Sequence, residues 1–324
     1  MMRKFVLAAS VAIFAATGAT AAVAEEAVLK GAMFIKSDKS LFRAIFNDFA
    51  AKVNERGAGT IKIDPILGPE AIPSNEMANA LSEGVVDIAG LPPAFYQDQV
   101  AEADALQLAT VSPAEQRENG AIAFLQERYH AAGWHLLAQY GYDLKFHLFL
   151  NEPVSSLADF EGYKLRTTPT YRHFFDELGA VQVETSRGEL YTAMERGVVD
   201  GYANVMSEVA PAGWDEVSKY RVDPGFYRPI VTITINLESW EALTPEQQAV
   251  LEEVAAEVET SMSAEMGEQD KAAGQRMVDS GMEVITLDQA EGEKLVETAL
   301  DAYWALLEER QPESMEVLRP LLSE

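Results

Sequence analysis

Two stretches share one grammar. Glu76-Met77, Ala80-Leu81 and Gly84-Val85-Val86-Asp87 recur, with identical spacing, as Glu189-Leu190, Ala193-Met194 and Gly197-Val198-Val199-Asp200. Each copy places apolar residues at i, i+1, i+4 and i+5, the pattern of one buried helix face. A glycine then falls where a helix stop needs a left-handed residue, and a strand begins. A helix–stop–strand unit used twice predicts two lobes of like α/β construction facing each other across a cleft. Two copies are too few for a solenoid.

The segments around the repeat fit this reading. Val28 to Phe34 reads as a strand, and Ser40 to Glu55 as a helix with Leu41, Ile45 and Phe49 on one face. Thr60 to Ile66 alternates apolar and polar residues with the period of a strand. The rhythm continues through Trp134 to Gln139, Leu144 to Leu150 and Tyr163 to Thr167, and Ile230 to Ile235 is the strongest β segment of all. Alternating strands and helices predict layered α/β domains. Thr244-Pro245-Glu246-Gln247 then supplies an N-cap, a proline at the first helical position and a capping-box glutamine. No strong breaker follows before Gly267 and Gly274, and Gly281 is the expected stop. A helix from 245 to 280 would measure ~54 Å, longer than a small domain is wide. It either bends at one of those glycines or runs across both lobes as a shared spine, which is the expectation adopted.

Composition narrows the function. The chain has 324 residues, room for two domains, and 48% hydrophobic residues supply a core. Its 25 Lys and Arg against 52 Asp and Glu give a formal charge of −27. That excludes the basic footprint of a general nucleic-acid binder and disfavours adhesion to anionic lipid. With no cysteine there is no disulfide, thiol nucleophile or Cys-ligated metal. The N-terminus has the order of a secretory signal peptide: Arg3 and Lys4, an apolar run from Phe5 to Ala16, and Ala22-Val23-Ala24. Cleavage before Glu25 would release a free acidic chain, most simply into a periplasm.

Catalytic signatures are missing. His130, His135, His147 and His173 form no HExxH, and His130 and His135, five apart, stand too far round a helix to share a metal. There is no G-x-S-x-G, Walker loop or G-x-G-x-x-G. No catalytic residue, metal ligand or cofactor site is therefore assigned. An exported α/β enzyme acting on an acidic metabolite stays open as the alternative, because any of the many carboxylates could form an acid–base pair.

At Leu157-Ala158-Asp159-Phe160-Glu161-Gly162-Tyr163-Lys164-Leu165-Arg166 the sequence resembles the solute-binding proteins of TRAP (tripartite ATP-independent periplasmic) transporters. Leu178-Gly179-Ala180, the Glu189 to Gly201 unit and Asn236 with Leu243-Thr244-Pro245-Glu246 follow in the family's order. The resemblance implies two α/β lobes joined by crossing strands, a long helix touching both, and a ligand held between them by hinge-like closure. The expected division is residues 25–141 plus 231–270 for the first lobe and 142–230 plus 271–324 for the second.

It also implies site residues. Arg166 stands where the family pairs an arginine with the substrate carboxylate, and a planar guanidinium fork suits that task. Asn204 falls where an asparagine donates to the same carboxylate. Arg187 matches a variable pocket position, Tyr227 an aromatic wall, and Phe34, Pro92 and Phe95 the opposite lobe. Lys145 is a stand-in for an arginine often found near Tyr142. Phe34-Ile35-Lys36 offers no acid to hold an ammonium group. The resemblance thus implies a periplasmic receptor that takes a small organic acid anion, a mono- or dicarboxylate such as a 2-oxo or aromatic acid. It would deliver this ligand to membrane permease subunits.

Overall fold

The computed structural model describes residues 26–323. The signal peptide expected over 1–24 lies outside them. Two sheets form two lobes. In the first, β1 (Ala27–Met33), β2 (Ile61–Leu67), β3 (Ile88–Leu91), β4 (Trp134–Tyr140) and β10 (Val231–Asn236) lie in the order β2-β1-β3-β10-β4. In the second, β5 (His147–Leu150), β6 (Lys164–Thr167), β7 (Val181–Glu184), β8 (Gly201–Asn204), β9 (Tyr220–Asp223) and β11 (Glu283–Thr286) lie in the order β11-β9-β5-β8-β6-β7.

The sheets repeat one plan. β1 runs parallel to β2 and β3, as β6 does to β7 and β8; next to β3 and β8 comes an antiparallel strand, β10 or β5. The duplicated motif folds alike down to single bonds. Gly84 and Gly197 adopt φ of 67° and 66°. The Asp87 carboxylate accepts from Lys30 N at 2.7 Å, and that of Asp200 from Lys164 N at 3.0 Å. The two Asp N–H groups donate back to the carbonyls of Lys30 and Lys164 at 2.8 and 2.7 Å.

Two extended segments cross between the lobes, residues 141–146 after β4 and 224–230 after β9. These segments lie side by side, with Phe146 N donating to Tyr227 O (3.0 Å) and Phe226 N to Phe146 O (2.9 Å). The stretch from Leu144, expected as strand throughout, is therefore a crossing segment as far as Phe146. The spine expectation holds. Helix Pro245–Glu257 continues through a π-helical turn, Val258–Met262, into Ser263–Asp279. Its first half buries Leu251, Val254, Ala255 and Val258 in the first lobe, and Met277 packs in the second. The helix runs unbroken through Gly267 and Gly274. They are places of close approach, where an added Cβ would meet Asp143 and Met206 respectively.

A second helix, Gln289–Arg310, also touches both lobes. Glu291 accepts from Leu157 N (2.7 Å) in the second, while the Tyr303 hydroxyl donates to Asp104 (2.7 Å) in the first. The last helix, Pro312–Leu322, returns to the first lobe, where Thr110 N donates to Leu322 O at 2.8 Å. The end of the segment expected with the second lobe thus packs on the first. No helix among the described residues is long and apolar enough to cross a membrane.

Candidate functional site

In open sheets with parallel strands, ligands bind beyond the carboxyl ends of the strands, where strand order reverses. Here those ends come from both lobes. Phe34 follows β1, Pro92 follows β3, Arg166 sits near the end of β6 and Asn204 ends β8. Between them lies a cavity of about 280 Å³ that all four line, together with Phe95 and Arg187. Six of the eight residues assigned from sequence therefore converge on one space.

Arg166 is half-buried. Its Nε donates to Thr185 O (3.2 Å) and Nη1 to the Tyr171 hydroxyl (2.9 Å), which itself donates to Ala203 O (3.2 Å). These bonds fix the plane of the guanidinium and leave Nη2 without an acceptor among the described residues. Arg166 also forms no ion pair there. Asn204 is buried, and its Oδ1 accepts from Val205 N at 2.8 Å. That bond sets the amide orientation and leaves the NH2 group to donate into the cavity.

Arg187 differs, because it already has a partner. Its Nη2 donates to Glu208 Oε2 at 2.8 Å, and its guanidinium lies 4.6 Å from the ring centre of Trp214. Loss of hydration lowers its pKa, Glu208 opposes that shift, and the like charge of Arg166 adds to it. The same burial raises the Glu208 carboxyl pKa, against the pull of Arg187 and the hydrogen bonds of Ser40 and Leu41.

The facing wall is apolar. Phe34 and Phe95 meet edge to face with centroids 5.8 Å apart, and Phe34 lies 6.3 Å from Phe42, which also lines the cavity. The Ser74 hydroxyl donates to Phe34 O (2.9 Å), holding that turn in place.

Two assigned residues lie elsewhere. Tyr227 is 1% exposed and turned into the core, where its hydroxyl donates to Ala299 O beneath helix Gln289–Arg310. It is the next residue, Arg228, that lines the cavity, its Nε donating to Ala109 O at 2.6 Å and its charge 3.7 Å from the Tyr142 ring centre. Lys145 is likewise an exposed residue outside the lining, whereas its neighbour Phe146 lines it.

The sequence also gave no sign of Asp104. It is 1% exposed, yet it lines the cavity and accepts from Tyr303 Oη at 2.7 Å and Gln107 Nε2 at 3.3 Å, with Gln97 as a third donor. Burial raises its carboxyl to about 6 against those hydrogen bonds. An acid does reach the cavity, then, from the 3-10 segment Ala101–Leu108 and not from the end of β1.

The chain matches the bacterial extracellular solute-binding proteins of family 7 over residues 31–310. A monocarboxylate 2-oxoacid-binding periplasmic protein of Nostoc sp. is 24% identical over 260 residues, 74% of this chain and 68% of that protein. A TRAP periplasmic solute-binding protein of Ochrobactrum anthropi, solved with its C-terminus in the ligand-binding pocket, is 26% identical. It superposes with a TM-score of 0.78 over 93% of this chain and 95% of its own. One from Desulfovibrio salexigens, solved with bound orotic acid, is 20% identical with a TM-score of 0.80 over 91% and 97%. The described two-lobed fold and the match over most of the chain agree: the chain belongs to the family 7 bacterial extracellular solute-binding proteins, the periplasmic receptors of TRAP transporters.

Proposed function

We propose that the cavity captures a small organic acid anion, a mono- or dicarboxylate of the 2-oxo or aromatic type. The protein then delivers it to the membrane permease subunits of a TRAP transporter. One observation carries this reading: in a chain with 52 acidic residues, the Arg166 guanidinium faces the cavity with no carboxylate partner among the described residues. Closing the lobes on a cation alone would bury an uncompensated charge, which costs ~3–5 kcal/mol. A ligand carboxylate relieves that cost and a neutral solute does not. Asn204 supplies a second donor, and Arg187 and Arg228 keep the local field positive despite the acidic exterior. Phe34, Phe42, Pro92 and Phe95 suit the carbon skeleton. The Nostoc relative named for 2-oxoacids and the relative holding orotic acid, an aromatic carboxylate, support the same class.

A receptor role is further supported by the lining itself. It presents three arginines, Arg166, Arg187 and Arg228, against one carboxyl, Asp104, a balance that suits holding an anion. Export through the segment 1–24, with cleavage before Glu25, completes the reading. A thermal-shift screen against organic acids, sugars and polyamines tests it, since a ligand that binds only the folded form raises Tm. The expected hits are carboxylates. Hits confined to sugars or polyamines would overturn the assignment.

A further inference from the structure

Asp104 lines the cavity from the first lobe, on the 3-10 segment Ala101–Leu108, whereas Arg166 lines it from the second. An ionised carboxylate only accepts, with about four lone-pair sites on its two oxygens. Oδ2 accepts from the Tyr303 hydroxyl at 2.7 Å and from Gln97 Nε2. Among the described residues Oδ1 accepts from Gln107 Nε2 alone, at a long 3.3 Å. Gln107 also lines the cavity, so the less engaged oxygen is the one turned toward a lining residue.

No cation stands against this carboxylate to compensate it. Arg310, whose Nη1 donates to Gln97 Oε1 at 3.1 Å, acts on it only through space. Tyr303, Tyr227, Tyr96 and Tyr129 feel its charge, but burial raises the pKa of each and all four stay neutral. His173 meets the Tyr303 ring edge to face with centroids 6.1 Å apart, and burial lowers its pKa, so it too is uncharged near pH 7. Burial holds Asp104 up at about 6. Near pH 7 it is therefore a buried anion short of one donor.

We propose that Asp104 sets specificity: its Oδ1 accepts from a hydroxyl or neutral N–H group at the end of the bound acid remote from Arg166. This rests on the receptor reading and narrows its ligand to acids that carry such a donor. An acid without one would leave the closed cavity with an under-satisfied buried anion, which is costly. A second carboxylate at that end would meet like charge.

Calorimetry with matched probes tests this, 4-hydroxybenzoate against benzoate and 4-hydroxybutyrate against butyrate. At pH 7.5 the hydroxylated member of a pair should bind about tenfold tighter or more. That advantage should shrink about fourfold by pH 5.5, as a group titrating at about 6 takes up its proton and ceases to be a pure acceptor. Asp104→Asn keeps the shape, and should narrow the preference and remove its pH dependence. A residue that only supported the fold would weaken both members alike and leave their ratio unchanged. Equal affinities within each pair, or a preference that stays constant from pH 7.5 to 5.5, would overturn the role of Asp104 and leave the receptor reading standing. Absence of binding by all four acids would count against the receptor reading itself, and the proposal would fall with it.

Discussion

Glu208, carried by the second lobe, accepts a 2.7 Å hydrogen bond from the Ser40 hydroxyl of the first, and its same oxygen accepts from Leu41 N at 3.0 Å. Leu41 opens helix Leu41–Arg56, and Ser40 as N-cap makes no capping bond of its own. The carboxylate of one lobe thus caps a helix of the other, where unsatisfied N–H groups and the helix dipole favour negative charge. Its second oxygen holds Arg187, a cavity residue. One buried acid therefore ties the cavity to the contact between lobes.

Glu208→Ala should destabilise the protein by about 2–3 kcal/mol, because it removes two bonds to a helix start and leaves Arg187 uncompensated. Glu208→Gln keeps the shape and an acceptor, and should cost less. Urea unfolding of the two variants measures the order. Equal and negligible losses would show that the cross-lobe cap contributes nothing.

Gly267→Ala should also destabilise. In an exposed helix this change gains ~1 kcal/mol. Here the new methyl would stand 2.8 Å from Asp143 Cβ in the crossing segment, and overpacking of this kind costs ~1–3 kcal/mol. The net effect should be a lower Tm, read by calorimetry. A raised Tm would mean that the spine does not press on the crossing segment.

Asp104 makes stability depend on pH. Its folded carboxyl titrates at about 6 against an ordinary value of 3.8. The folded state therefore holds a proton that the unfolded chain has lost between those values. Its contribution is complete below pH 4 and is lost as pH rises to about 6. Asp104→Asn should flatten the pH dependence of the urea midpoint between pH 4 and 6, with little change in slope above pH 7. An identical profile in the variant would contradict the assignment.

Much of this architecture was legible because its determinants are local. The duplicated helix–glycine–strand grammar, the capped start at Thr244 and the Lys164 to Arg166 strand each act within a few residues. Tyr227 and Lys145 failed for a definite reason. They lie in crossing segments with no amphipathic period to say which side chains face the cavity, and Arg228 and Phe146 line it instead. Asp104 was invisible among so many acids, since only the fold buries it behind Tyr303. His130 and His135 lie on different elements because the turn at Gly133 ends the helix between them.

The role of Arg166 is tested most directly by calorimetry with the carboxylate that gives the largest thermal shift, comparing the natural protein with Arg166→Ala and Arg166→Lys. Ala should lower affinity at least a hundredfold, from loss of a charge-assisted pair worth ~3 kcal/mol or more, and Lys should restore only part of it because its ammonium lacks the planar fork. Binding by Arg166→Ala as tight as that of the natural protein would contradict it.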